Sequence, residues 1–192
     1  MENFKNEKME IQSFLEDLTT KHSDGSVVER DEISKSIEEF DLENFLEKIV
    51  SLGFVIHGSS KFFETAKPHP AKDDNSVPEN EHYAIYATDL PAIAIYMSIV
   101  SNDKIHEQKK SIHWGAGVIR HANGNRIPVF SADQDLSDVM DDGYLYLFKK
   151  ENFSPVTPNQ MEEQFVSHES LKPVLIIKTK PSDFKYSVQP LK

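Results

Sequence analysis

The chain has no cysteine. Disulfides, zinc–thiolate sites, iron–sulfur clusters and thiol nucleophiles are therefore excluded at the outset. Long apolar runs are also missing: nothing approaches the ~20 residues that span a bilayer as a helix. The N-terminal MENFKNEKMEIQSF has no apolar stretch of the kind a secretory leader carries, so the expectation is a soluble cytoplasmic protein with no membrane partner. Cations are in short supply, with 21 Lys and Arg against 32 Asp and Glu and a net charge of −11. A general nucleic-acid binder needs clustered cations for the phosphate backbone, so this balance argues against one, and against a peripheral membrane protein. Several motifs are missing as well. There is no GxxxxGK[ST] phosphate loop, no GxGxxG, no HExxH metal pair and no GxSxG around a serine. The aspartate run Asp133, Asp135, Asp138, Asp141 and Asp142 suggests calcium, but an EF-hand loop begun at Asp133 has Asp138 where glycine belongs and Tyr144 where glutamate belongs. No metal site is expected.

What is present suits one domain of ordinary size. The 192 residues are 38% hydrophobic and 10% aromatic, enough for a core. Residues 1–50 hold 14 Asp/Glu against 6 Lys/Arg, so −8 of the net −11 lies in the first quarter. That quarter reads as helical. Met9, Ile11, Phe14, Leu15 and Leu18 recur at spacings of three and four, and His22 to Ser26 break the pattern. A second helix is predicted from Arg30 to Phe40. A third follows Asp41 as N-cap and ends at Gly53, with Phe45, Ile49 and Leu52 on one face. The expected organisation is an acidic helical N-terminal region over 1–51 and an α+β domain over 52–192.

The remainder reads as strands around one buried helix. Phe54 to Gly58 is a short apolar strand, and residues 64–82 form a long polar loop. Tyr83 to Ala87 is a second strand. Thr88 or Asp89 then caps a helix with Pro91 in its first turn, apolar nearly all round from Ala92 to Val100. Trp114–His121 and Arg126–Phe130 flank Ala122-Asn123-Gly124-Asn125 as a hairpin, with a bulge expected at Gly115-Ala116-Gly117. Further strands are predicted at 143–148, 164–167 and 174–178, making six or seven in all. The class is α+β with a mainly antiparallel sheet.

Three segments carry a family resemblance, and their order matters. They are the strand ending His57-Gly58-Ser59, the segment AIYATDLPAIAIYMS, and EEQFVSHESLKPVLIIKT. Together they resemble the ADP-ribosyltransferase fold in its histidine–tyrosine–glutamate branch, that of poly-ADP-ribose polymerases and diphtheria-type toxins. The arrangement GYLYLFKKENF…EQFVS…KPVLIIK also resembles small bacterial and phage proteins of uncharacterised function that share this fold. The resemblance covers about residues 52–184 and implies a split β-sheet that binds NAD as substrate.

It also implies roles. His57 matches the histidine that bonds the adenosine ribose, Gly58 the glycine that lets backbone approach the nicotinamide amide, and Ser59 a position that helps hold that ring. Tyr86 matches the stacking tyrosine, with Tyr96 as a second aromatic wall. Gln164 falls where the family has the glutamate that grips the nicotinamide ribose. That is the main departure, because a neutral amide orients a hydroxyl but cannot offset a developing cation. Glu162, two residues away on the same strand face, offers a carboxylate; a shift of one residue makes Glu163 the match.

Three functions follow as expectations. The first is transfer of ADP-ribose from NAD to an unknown protein acceptor. The second is a nucleotide-sensing or protein-interaction module on the same fold. The third is an RNA 2′-phosphotransferase-like activity, which needs basic residues at the site; Arg120, His121 and Arg126 on the hairpin are candidates for phosphate contact, but the net charge of −3 over residues 51–192 offers little support.

Overall fold

The computed structural model describes residues 2–35, 41–70, 83–156 and 164–191. Helix α1 spans Glu2–Lys21 and buries Leu15 and Leu18, while Met9 is 69% exposed and lies off the apolar stripe. A two-residue strand β1, Val27–Val28, and a short helix α2, Arg30–Ser34, follow; the rest of the predicted second helix lies outside the described residues. Helix α3, Leu42–Ser51, buries Leu42, Phe45, Leu46 and Ile49, the 3.6-residue spacing expected of one face. The Asp41 side chain caps it by accepting from Glu43 N and Asn44 N. Gly53 ends it at φ 92°, a left-handed conformation that glycine adopts without a Cβ penalty.

The larger sheet has seven strands in the order β1-β9-β6-β2-β3-β8-β7. Here β2 is Phe54–Ser59, β3 Ile85–Thr88, β6 Gly143–Lys149, β7 Ser154–Pro155, β8 Gln164–Ser167 and β9 Leu175–Thr179. Only β1 and β9 run parallel; the other ladders of this sheet are antiparallel. Alternation sorts the side chains onto two faces. Ile56, Leu145, Leu147, Leu175 and Ile177 face the helices α1 to α3. Val55, Tyr146, Phe148, Ile85, Ala87 and Phe165 form a second cluster on the other face.

A smaller sheet, in the order β10-β5-β4, is built on the predicted hairpin. Strands β4 (Trp114–Arg120) and β5 (Arg126–Ala132) pair without interruption from Trp114↔Ala132 to Arg120↔Arg126, so the expected glycine bulge is not there. Gly124 turns the hairpin at φ 85°. Strand β10, Val188–Pro190, adds to β5 in parallel. Helix α4, Pro91–Ile99, lies between the sheets, with a third cluster of Tyr96, Ile99, Phe130 and Val139 on its far side. Its N-cap is Leu90, not Thr88 or Asp89; the Thr88 hydroxyl accepts from Leu90 N instead. A fifth helix, α5 (Asn102–Glu107), was not apparent from the sequence.

The N-terminal quarter shares its core with the sheet. Leu15, Val28, Ile33 and Leu46 belong to one cluster with Ile56, Ala94 and Leu147. Strand β1 extends the sheet itself. The buried Asp183 carboxylate pairs with Arg30 at 2.6 Å, tying α2 to the C-terminal segment. Position 51/52 marks a change of composition, and the buried core runs straight across it. Among the described residues, no helix is long and apolar enough to cross a membrane.

Candidate functional site

The seven-stranded sheet has one weak joint. β2 pairs with β6 over six residues, from Phe54↔Lys149 to Ser59↔Tyr144, and β3 pairs with β8 over four, from Ile85↔Ser167 to Thr88↔Gln164. Between β2 and β3 the ladder holds a single pair, Ile56↔Thr88. Beyond it no further pair forms, and the edge of β3 needs other partners. The His57 side chain supplies one: Nδ1 donates to Tyr86 O at 2.6 Å. The backbone of His69 supplies another, exchanging two 3.1 Å hydrogen bonds with Ala84.

His57 is held from above as well. Phe63 and Tyr146 stack at 3.8 Å with their planes 9° apart, and both rings border the imidazole. Tyr146 Oη donates to Lys61 O and accepts from Phe63 N, fixing the chain that leaves β2. Burial pushes the His57 imidazole down to about 4; the bond to Tyr86 O opposes this shift and nearby His69 adds to it. The ring is thus neutral near pH 7, with its proton on Nδ1, and Nε2 is its acceptor.

Tyr86 is half-buried and 6.4 Å from the His69 ring. Burial raises its phenol above the ordinary value. Gln164, also half-buried, opens β8 opposite Thr88, so its side chain shares a face with Tyr86 one step along the ladder. His57 alternates onto the other face, with Val55. The three residues therefore occupy three adjacent strands, but only Tyr86 and Gln164 present side chains together. Ser59 lies at the end of β2 and accepts from Lys61 N through its hydroxyl. Glu162 and Glu163 lie outside the described residues.

The structure gives Gly58 and Tyr96 packing roles. A Cβ on Gly58 would sit 2.0 Å from Ala94 O and 2.9 Å from Ser98 N, so α4 packs directly against that face of β2. Tyr96 is fully buried in the third cluster, against Trp114, Phe130 and Phe184, where burial pushes its phenol up to about 12. It is a core residue because α4 is covered on both sides, and it forms no wall beside Tyr86.

Charged groups gather at the end of β3. Asp89 accepts from Arg126 Nη1 at 2.8 Å and lies 3.6 Å from Lys150 Nζ, which sits 4.2 Å from the centre of the Phe165 ring. Arg126 thus reaches from the hairpin to the strand that carries Tyr86, while Arg120 and His121 remain on the exposed hairpin tip. Neither Asp89–Lys150 nor the Phe63–Tyr146 clamp was legible in the sequence. Their partners are 61 and 83 residues apart, and no local motif marks them. Among the described residues, no group of three or more His, Asp or Glu is arranged to hold a metal ion. The carboxylates of the Asp133–Asp142 run each have a protein partner: His113 for Asp133, Ser137 for Asp135, Lys110 for Asp138, Lys104 for Asp141 and Lys178 for Asp142.

Comparison of the chain with protein-family models, with curated proteins and with solved structures finds no match.

Proposed function

We propose that this protein binds NAD or a related nucleotide as an ADP-ribosyltransferase-like protein, at the joint between β2 and β3. One observation carries the reading. Segments around residues 57, 86 and 164, far apart in sequence, form three adjacent strands of a sheet joined there by a single residue pair. In this reading the Tyr86 ring stacks on the nicotinamide. The Gln164 amide holds a ribose hydroxyl, and Arg126 and Lys150 stand near enough to the end of β3 to face a pyrophosphate. In the transfer itself the bond from C1′ to nicotinamide breaks, an acceptor nucleophile takes C1′ and its proton leaves. That step needs a negative group against the developing cation, which Gln164 cannot supply and Glu162 or Glu163 can.

A second reading, a nucleotide-sensing module without turnover, is favoured by Gln164 itself and by His57, whose Nδ1 proton is already committed to Tyr86 O. The same experiment separates the two. Saturation transfer from protein to the adenine and nicotinamide protons of NAD is expected in the wild type. It is lost in a Tyr86→Ala variant that keeps the wild-type circular dichroism. Release of free nicotinamide, abolished by Glu162→Gln or Glu163→Gln, marks the enzyme; binding without release marks the sensor. No transfer at NAD concentrations on the order of millimolar overturns both.

A further inference from the structure

The small sheet ends on an open edge. In the order β10-β5-β4, strand β4 has β5 on one side and, among the described residues, no strand on the other. Two hydrogen bonds bracket the hairpin, Asp133 N to His113 O at 3.0 Å and His121 N to Asn125 O at 2.9 Å. The register between them is unbroken, so the alternation of an antiparallel ladder fixes which residues bond to β5. Gly115, Gly117 and Ile119 do. Trp114, Ala116, Val118 and Arg120 turn their N–H and C=O groups outward.

We infer that this edge pairs with the same edge of a second copy of the chain, antiparallel about a two-fold axis through Gly117. The occupant is chosen by self-complementarity. With Gly117 on the axis, Trp114 lies opposite Arg120 of the second copy and Ala116 opposite Val118. All four outward residues of each strand then find outward partners. Sliding the register by two residues leaves Trp114 or Arg120 with no partner within β4, and sliding it by one sets outward groups against inward ones.

The side chains agree with that register. On the outer face Gly115 meets Ile119 of the second copy. A Cβ at Gly115 would find nothing within 4 Å, and Ile119 is 52% exposed, so the exposed chain of one copy covers the bare backbone of the other. Ile127, opposite Ile119 on β5 and 46% exposed, extends the same apolar strip. On the inner face Arg120 comes to the Trp114 indole, a pairing that favours the cation. Charge does not oppose the contact. Residues 114–132 contain no Asp or Glu, so no acidic side chain of one hairpin meets another. The two Arg120 residues sit at opposite ends, six residues or about 20 Å apart along the strand, which is about two screening lengths at physiological salt. The edge also lacks the devices that keep open edges single: β4 has no proline, no bulge and no charged residue before Arg120.

The test is the mass of the full-length chain across a concentration series by sedimentation equilibrium. The wild type is expected to move from 21.9 kDa toward twice that value as concentration rises. Ala116→Pro removes an outward N–H that the fold itself does not use, and is expected to weaken association at least tenfold. Gly117→Glu and Gly117→Lys each place like charges face to face on the axis. Within one chain a Cβ there meets only Val129 Cγ2 at 3.5 Å, an ordinary contact. Each is expected to be monomeric alone, and a mixture of the two is expected to restore the dimer, which a misfolded variant could not do. A wild type monomeric throughout overturns the inference. So does a dimer that survives Ala116→Pro and both Gly117 variants, because its interface must then lie elsewhere.

Discussion

Gly58→Ala isolates the contact on which the sheet and its central helix depend. The added methyl would lie 2.0 Å from Ala94 O, 3.0 Å from Ala94 C and 2.9 Å from Ser98 N, all backbone atoms of α4. Non-bonded carbon and oxygen rest at about 3.3 Å, so β2 and α4 must separate by about 1 Å. The helix has no room to retreat. Its far side is packed by Tyr96 and Ile99 against Phe130 and Val139, and Ser98 Oγ is bonded to Thr179 Oγ1 at 2.8 Å. A Cβ on Gly143, on the neighbouring strand, would likewise lie 1.9 Å from Ser98 O, so the helix rests on two glycines at once. Overpacking a rigid contact costs about 1–3 kcal/mol and here should reach the top of that range, about 3 kcal/mol. For a chain of this length that corresponds to a fall of about 6–12 °C in Tm. Urea unfolding followed by circular dichroism gives the free energy. A loss below about 1 kcal/mol in Gly58→Ala would refute the reasoning, because the helix would then have yielded at little cost.

Other perturbations test other parts of the fold. Leu46→Ala, in the N-terminal helical region but fully buried against the sheet, should cost about 2–5 kcal/mol and leave one cooperative transition; a separate early transition would mean that residues 1–51 fold on their own. Asp41→Ala removes the cap of α3 and the ion pair with Lys185, and about 1–2 kcal/mol is expected to be lost, most of it regained in Asp41→Asn. His57 gives a pH signature. Its folded value, about 4, lies below the unfolded value of 6.5, so between these pH values the unfolded chain binds a proton that the fold excludes. Stability should therefore be flat above pH 6.5 and fall by about 2 kcal/mol as pH drops to 4, after allowance for partial exposure of the ring. The His57→Gln variant should lack that component; an Hε1 resonance that titrates near 6.5 in the folded wild type and disappears in His57→Gln would contradict the buried setting.

Local signals in the sequence determined the elements that obey local rules. Asp41 and Gly53 bracket α3 because capping and left-handed turns are chemistry within a few residues. Asn123-Gly124 sets the hairpin for the same reason, and the all-apolar run after Pro91 announces a helix with no solvent face. The strands at 54–59, 85–88 and 164–167 were also legible, as short apolar runs between breakers. Periodicity alone did not say what lay across from them. That α4 packs directly on Gly58 was not legible, because the helix arrives from more than thirty residues along the chain. Tyr96 looked like half of an aromatic clamp, but a helix buried on both sides turns it into the third cluster. The two-residue strand β1 has no periodicity to detect and exists only because β9 offers it an edge. The joint at Ile56↔Thr88, with His57 closing the gap beyond it, is likewise a property of the assembled sheet. A hydrogen bond from residue 57 to residue 86 costs too much loop entropy to be specified locally, and it forms only when the packed strands on either side hold both ends in place.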